Sequence, residues 1–144
     1  MKRKTLLKIA CILIPVLFLI ADDIYYSFQK YNLEVEIIQK GEPATFSLGE
    51  LTDFEWDSAY IQRNPNGRAG SIKEEHNLKG NVRRLMTNVV VRIIFVKDRR
   101  IVRSSKLSKE IMLDPSIEVL KPDTLLHAKK ISNYNTVLYL SLEE

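Results

Sequence analysis

The chain has 144 residues, 45% of them hydrophobic, and a formal net charge of +4. Four of its 22 basic residues lie before residue 9, so the remainder holds 18 basic residues (22 − 4 = 18) against 18 acidic ones. A neutral remainder gives no electrostatic support for nucleic-acid binding, and we predict no nucleic-acid partner.

The first 28 residues have the pattern of an export signal or a membrane anchor. Basic residues precede an uncharged run of 13 residues, Ile9–Ala21, which predicts that the N-terminus stays inside and the rest of the chain lies outside. As a helix, the run spans roughly 20 Å. We expect a single-pass anchor in a bacterial cytoplasmic membrane; the alternative is a signal cleaved after Ala21, which releases a periplasmic or secreted domain. The only cysteine, Cys11, lies in this run, so an intramolecular disulfide is excluded.

The rest of the chain, 29–144, is long enough for one extracytoplasmic domain with a hydrophobic core. Apolar and acidic residues alternate over Leu33–Ile37, which predicts a strand. Capping-box patterns at Thr52–Glu55 and Ser71–Glu74 predict helix starts, the second for a helix over 72–79.

The strongest strand pattern covers Thr87–Lys97. It is apolar on both faces, which predicts a central strand covered on each side. Arg92 interrupts one face, so we expect it to pair with a carboxylate or to lie near the rim. The turn Lys97–Arg100 predicts a hairpin, and a two-residue loop there would place Arg99 in a conformation that favours glycine.

A second hairpin is predicted near the end of the chain, where Thr124–Ile131 and Thr136–Leu142 flank a turn-forming segment. Taken together, these patterns predict an α+β fold. It has an N-terminal hydrophobic helix, followed by one domain with a mostly antiparallel sheet of about five strands and one or two short helices.

Two blocks resemble known proteins: Phe54–Ile61 reads F-x-W-D-x-x-Y-I, and Phe95–Asp98 reads F-V-K-D. They are similar to segments of small, uncharacterised bacterial proteins that are membrane-tethered or secreted and have no established activity. The chain departs from that pattern at Arg99, where a glycine commonly follows, and at Arg63–Asn66, which lacks an aromatic-proline continuation. The resemblance therefore implies architecture and location, and no activity.

Three carboxylates alternate with aromatic residues at Asp53, Glu55 and Asp57. In a strand they would share one face, which suits a divalent cation or an acid/base pair. The simpler interpretation is that Phe54 and Trp56 anchor the core while the acids cap a helix or face solvent. For Asp57 we expect a hydrogen bond to backbone amides.

Neither histidine has a metal-ligand partner at a suitable spacing. We expect His76 to be solvated in a charged helix and His127 to pack on a sheet. Nucleophile, zinc and phosphate-loop motifs are absent from the sequence. We therefore predict no catalytic residue, no metal, no cofactor and no small-molecule ligand.

Charge is segregated along the chain. Residues 22–57 hold nine acids and two bases, whereas residues 79–109 hold ten bases against Asp98. Either the two segments are neighbours in the fold and pair, or the basic segment forms a face for anionic lipid, cell-wall polymer or an acidic protein.

The sequence thus leaves two functions open. The first is a membrane-tethered, extracytoplasmic interaction domain of a bacterial cell envelope, not an enzyme, which neutralises or scaffolds an unknown protein partner. Its contact with the membrane would run through residues 1–28. The alternative is a small envelope hydrolase or lyase that uses the carboxylates near Trp56.

Overall fold

The computed structural model of the protein describes residues 30–63, 69–80, 91–131 and 137–143, together with Ile14, Pro15, Leu17 and Ala21. Two compact units divide the chain, Met1–Lys30 and Tyr31–Glu144. Because most of the first unit lies outside the described residues, the predicted domain bounds 1–28 and 29–144 stay a prediction.

Short elements build the described part of the second unit. In chain order they are α1 (Leu33–Lys40), β1 (Ala44–Ser47), α2 (Leu48–Leu51), β2 (Ser58–Gln62), α3 (Ala69–Glu75), β3 (Val91–Lys97), β4 (Arg100–Leu107), β5 (Ile111–Leu113), β6 (Val119–Leu120), β7 (Leu125–Lys130) and β8 (Leu138–Leu142).

The strands form two sheets of four, in the orders β1-β7-β8-β5 and β4-β3-β2-β6. All neighbours are antiparallel except β5 and β8, which are parallel. The predicted α+β fold with a single sheet of about five strands is therefore wrong, and the described domain is mostly β. The physical reason is strand length: β1, β5 and β6 have four, three and two residues, too few to produce a readable period.

The predicted single-pass anchor is contradicted as well. Among the described residues, none belongs to a helix with the length and hydropathy that a bilayer crossing requires. The uncharged run itself falls short of the about 30 Å hydrocarbon core. Of the predicted segment only Ile14, Pro15, Leu17 and Ala21 are described, and they are helical. Cys11 lies outside the described residues, and the bond after Ala21 leads to an undescribed residue. The cleaved signal therefore stays a prediction.

The main core contains apolar residues from both sheets, with Phe95 at 0% exposure. Around Phe95 the aromatic rings pack edge to face: Trp56 lies 5.0 Å away and Phe54 5.2 Å away, measured between ring centroids. The prediction that both residues are core anchors is confirmed, since Trp56 is buried and Phe54 packs against the core.

The opposite face of the second sheet carries a smaller core. There Ile94, Val96 and Ile101 cluster with Leu78, and Ile72 of α3 packs against them. The strand β3 lies between β4 and β2 and is buried at each residue before Lys97. The predicted central, doubly covered strand is therefore confirmed over Val91–Lys97, whereas 87–90 lie outside the described residues.

The strand predicted at Leu33–Ile37 is wrong, because the segment is the first half of α1. Its buried residues Leu33 and Ile37 are four apart, so they share one face of a helix. Glu34 and Glu36 in the first turn also suit the positive end of the helix dipole.

The capping boxes differ from expectation too. Thr52 starts no helix; it ends α2, and its hydroxyl donates to the carbonyl of Leu48 at 3.1 Å. The N-cap observed in this region is Ser47, whose hydroxyl accepts the Glu50 N–H at 3.3 Å at the start of α2. The predicted helix over 72–79 is observed as α3, which starts and ends earlier.

Both predicted hairpins are present. The strands β7 and β8 pair antiparallel, and their loop 132–136 lies outside the described residues. The strands β3 and β4 are joined by a two-residue loop, in which Asp98 and Arg99 have φ of 49° and 61°. The loop therefore adopts the backbone conformation that its sequence disfavours.

Tertiary contacts support this strained loop from two sides. The Asp57 carboxylate accepts the Asp98 N–H at 2.9 Å. On the other side, the Lys79 N–H donates to the Arg99 carbonyl at 2.7 Å, and the Lys79 carbonyl accepts the Ile101 N–H at 2.9 Å. The conformation is thus fixed by residues distant in sequence.

Candidate functional site

A groove of about 280 Å³ lies between α3 and one edge of the second sheet. Residues from β2, α3 and the chain leading into β6 line it, and we use the term groove for this set: Tyr60, Ile61, Arg63, Ile72, Glu75, His76, Glu118 and Val119. The groove thus combines apolar walls, two aromatic rings and charged side chains.

One wall of the groove is an open strand edge. The strand β6 pairs only with β2, with Tyr60 opposite Val119 and Ala59 opposite Leu120. Because the Ile61 N–H donates to the Glu118 carbonyl at 2.9 Å, the alternating antiparallel pattern turns the N–H and C=O of Val119 away from β2. No strand in the described part of the chain pairs with that side, and Val119 is 43% exposed.

An aromatic pair lies within the groove. The rings of Tyr60 and His76 have centroids 4.2 Å apart and an interplanar angle of 31°. Tyr60 comes from the middle of β2. His76 follows α3 directly, and its backbone N–H donates to the Ile72 carbonyl at 3.1 Å. The pair therefore joins the end of α3 to the sheet and forms part of the groove lining.

The positive charge in the groove is already engaged. The Arg63 guanidinium donates to the backbone carbonyl of Asp114 at 2.5 Å. The carboxylate of Asp114 accepts from the Ser116 hydroxyl at 2.6 Å and from the Tyr139 hydroxyl at 2.5 Å. These hydrogen bonds, with the charge of Arg63, lower the pKa of Asp114 to about 2. The pKa of Tyr139 is raised, mainly by its hydrogen bond to Asp114.

The negative charges of the groove are not engaged in this way. Glu75 lies on the α3 wall and Glu118 on the β6 wall. Within the described residues, neither carboxylate forms an ion pair or a side-chain hydrogen bond. Among the described lining residues, the groove therefore has two carboxylates without such bonds, whereas Arg63 is bonded to the Asp114 loop.

The carboxylates predicted around Trp56 do not converge on a site. Glu55 forms an ion pair with Lys97, and that hydrogen bond lowers the pKa of Glu55 and raises that of Lys97. Asp57 accepts a backbone amide, as predicted. Asp53 is exposed. No cluster of three metal-ligating side chains occurs among the described residues.

The histidines lie far apart in the fold: His127 is on β7, and His76 follows α3. His127 is half-buried on β7, with its Nδ1 3.3 Å from the Thr45 hydroxyl, so the prediction of a sheet-packed residue is confirmed. His76 is exposed as predicted, but its contact with Tyr60 was not foreseen. Nothing in the local pattern of either segment signals that contact, because the two residues belong to elements joined only by the fold.

Several basic residues of the segment 79–109 are engaged within the described part of the chain. Lys97 pairs with Glu55, and Arg103 lies over the Phe54 ring at 5.5 Å. Arg92 is 2% exposed, and its burial lowers its pKa. It sits next to Gln62 near the start of β3. These contacts favour the interpretation that the acidic and basic segments are neighbours and pair.

Comparison with known proteins adds no assignment: no family model, no curated protein and no solved structure matches the chain. The resemblance drawn from Phe54–Ile61 and Phe95–Asp98 therefore stays a prediction. The function has to be argued from the groove itself.

Proposed function

We propose that this protein is an interaction domain that binds an extended segment of a partner protein along the edge of β6. The proposal rests on the backbone of Val119. Its N–H and C=O face away from β2, beside a groove that can accommodate side chains. Strand addition uses such an edge: main-chain hydrogen bonds provide affinity, and pockets for alternate side chains provide specificity.

The short edge limits how tightly this mode can bind. Val119 offers one N–H and one C=O, and each such hydrogen bond contributes about 0.5–1.5 kcal/mol net. Most of the affinity must therefore come from side chains that enter the groove, over Tyr60 and His76. A bound segment that continues beyond β6 gains nothing further from the edge, so we expect a short recognition motif and a reversible complex.

The alternative of a hydrolase or lyase near Trp56 receives no support from the geometry. The Glu55 carboxylate is held by Lys97, and Asp57 holds the hairpin loop. A scaffolding or neutralising role fits an interaction domain.

Export by a signal cleaved after Ala21 stays a separate prediction. Sequencing the N-terminus of the mature protein checks that cut; a chain that retains Met1 excludes it.

The proposal is tested by selecting peptides from a random display library on the immobilised full chain. Wild type is compared with Val119→Pro, which removes the N–H that faces away from β2, and with Val119→Ala, which retains it. We expect Val119→Ala to bind the selected peptides and Val119→Pro to lose them at unchanged circular dichroism. Failure to select any peptide, or equal binding by the proline variant, overturns the proposal.

A further inference from the structure

We infer that the groove selects a basic side chain, lysine or arginine, at one position of the bound segment. The inference rests on the proposed function, which it deepens by naming the chemistry of the partner. It follows from three properties of the groove: its charge, its aromatic surface, and the placement of its two carboxylates on opposite walls.

Among the described residues, the groove lining carries two carboxylates and one guanidinium. Glu75 and Glu118 line the groove, and within the described residues neither has an ionic partner. Arg63 is the opposing charge, but its guanidinium donates to the Asp114 carbonyl and lies in the field of the Asp114 carboxylate. An incoming cation therefore meets two free carboxylates, whereas an incoming carboxylate is repelled by both.

The aromatic pair suits the stem of a basic side chain. Lysine and arginine bury their methylene chains on apolar surface while the charged head stays hydrated. The tilted rings of Tyr60 and His76 provide such a surface, with Ile72 and Val119 beside them.

The two walls place the carboxylates on either side of this surface. Glu118 directly precedes Val119 on the strand edge, whereas Glu75 directly precedes His76 at the end of α3. A segment that pairs with Val119 directs alternate side chains to the same face of the sheet. One of them can lie beside the Tyr60 and His76 pair with its charged head near Glu75, while Glu118 adds negative charge at the strand edge.

The test uses the display selection and a set of synthetic peptides of about eight residues. The peptides share one selected sequence and differ only in having lysine, glutamine or glutamate at the position most enriched by the selection. Binding to the full chain is measured by fluorescence anisotropy. Because the charge pairs lie at a partly exposed site, we expect lysine to bind about tenfold more tightly than glutamine, and glutamate to bind weakest.

The variant Glu75→Gln/Glu118→Gln should reduce the preference for lysine to about twofold or less. Glu74→Gln is the matched control, because Glu74 is exposed on the same helix and does not line the groove. It should leave the preference unchanged. Circular dichroism and urea unfolding of each variant separate loss of binding from loss of fold.

The possible outcomes separate the two proposals. Peptides that depend on the Val119 N–H and carry lysine or arginine, with a preference that falls in the double glutamine variant, support both. Peptides that depend on Val119 but show no basic preference, or one insensitive to Glu75 and Glu118, overturn this inference and leave the proposed function standing. If no peptide depends on Val119, both are overturned together.

Discussion

Two regions of the second sheet are built from similar residues and differ in how those residues are engaged. The Trp56 segment, Phe54–Asp57, and the groove each combine aromatic rings with carboxylates. In the Trp56 segment the carboxylates of Glu55 and Asp57 are bonded to the β3–β4 hairpin, and the rings pack on Phe95. In the groove, Glu75 and Glu118 have no such partner within the described residues. Residue type alone therefore does not mark a site, since carboxylates of the same kind are bonded in one region and lack such bonds in the other.

The largest effect is expected in the Trp56 segment. Trp56→Ala should lower the free energy of unfolding by about 3–5 kcal/mol, because it leaves a cavity beside Phe95 and removes the bond from the indole N–H to Thr52. Urea unfolding measures it, with Trp56→Phe as the milder control. A loss below about 1 kcal/mol would show that the segment is not a core anchor.

A smaller effect is expected where the same segment supports the hairpin. Asp57→Ala removes the acceptor for the Asp98 N–H in a loop with positive φ, so unfolding should become easier by about 1–2 kcal/mol. Asp53→Ala provides the comparison, since Asp53 is an exposed carboxylate of the same segment. Equal effects of the two substitutions would contradict the supporting role of Asp57, and both are measured by urea unfolding.

The smallest effect should appear only in acid, on the groove side. Asp114 has a folded-state pKa of about 2, below its ordinary value of 3.8. Its contribution to stability is therefore complete above pH 3.8 and is lost as the pH falls towards 2. Tyr139→Phe removes one of the hydrogen bonds that lower this pKa, so the acid-dependent loss should shrink.

Urea unfolding of wild type and Tyr139→Phe across this acid range measures the difference in slope. In the variant, the hydroxyl and the backbone N–H of Ser116 still donate to the Asp114 carboxylate. Part of the pH dependence of stability should therefore persist. Identical slopes in the two proteins would show that Tyr139 does not hold the Asp114 carboxylate. A smaller slope in the variant would show that the carboxylate of Asp114 is held by structural hydrogen bonds, unlike those of Glu75 and Glu118 among the described residues.

Several features could be predicted because they are local. The two hairpins are readable from turn chemistry between apolar runs, and the burial of β3 from apolar residues on both faces. The expected bond from Asp57 to a backbone amide also follows from its residue type. The prediction of a strand at Leu33–Ile37 was wrong for a local reason too. Apolar residues at positions 33, 35 and 37 fit the period of a strand, but Leu33 and Ile37 are also four apart, which fits one face of a helix.

The groove could not be predicted from the sequence. Its aromatic pair joins Tyr60 on β2 to His76 after α3, and the intervening chain gives no signal that they meet. The edge strand β6 has two residues, so it has no period to recognise. The partners of Glu55 and Arg63 lie 42 and 51 residues away along the chain.

By itself, the sequence determined the neutral charge beyond residue 8, the hairpins and the central strand Val91–Lys97. Each of these depends on composition or on neighbouring residues, which the sequence states directly. The division of the strands into two sheets, the bonding of individual carboxylates and the position of Val119 beside a groove arise from the tertiary fold. Those features depend on pairings between distant segments, and the energy of a short strand or a free carboxylate is set by what the fold places beside it.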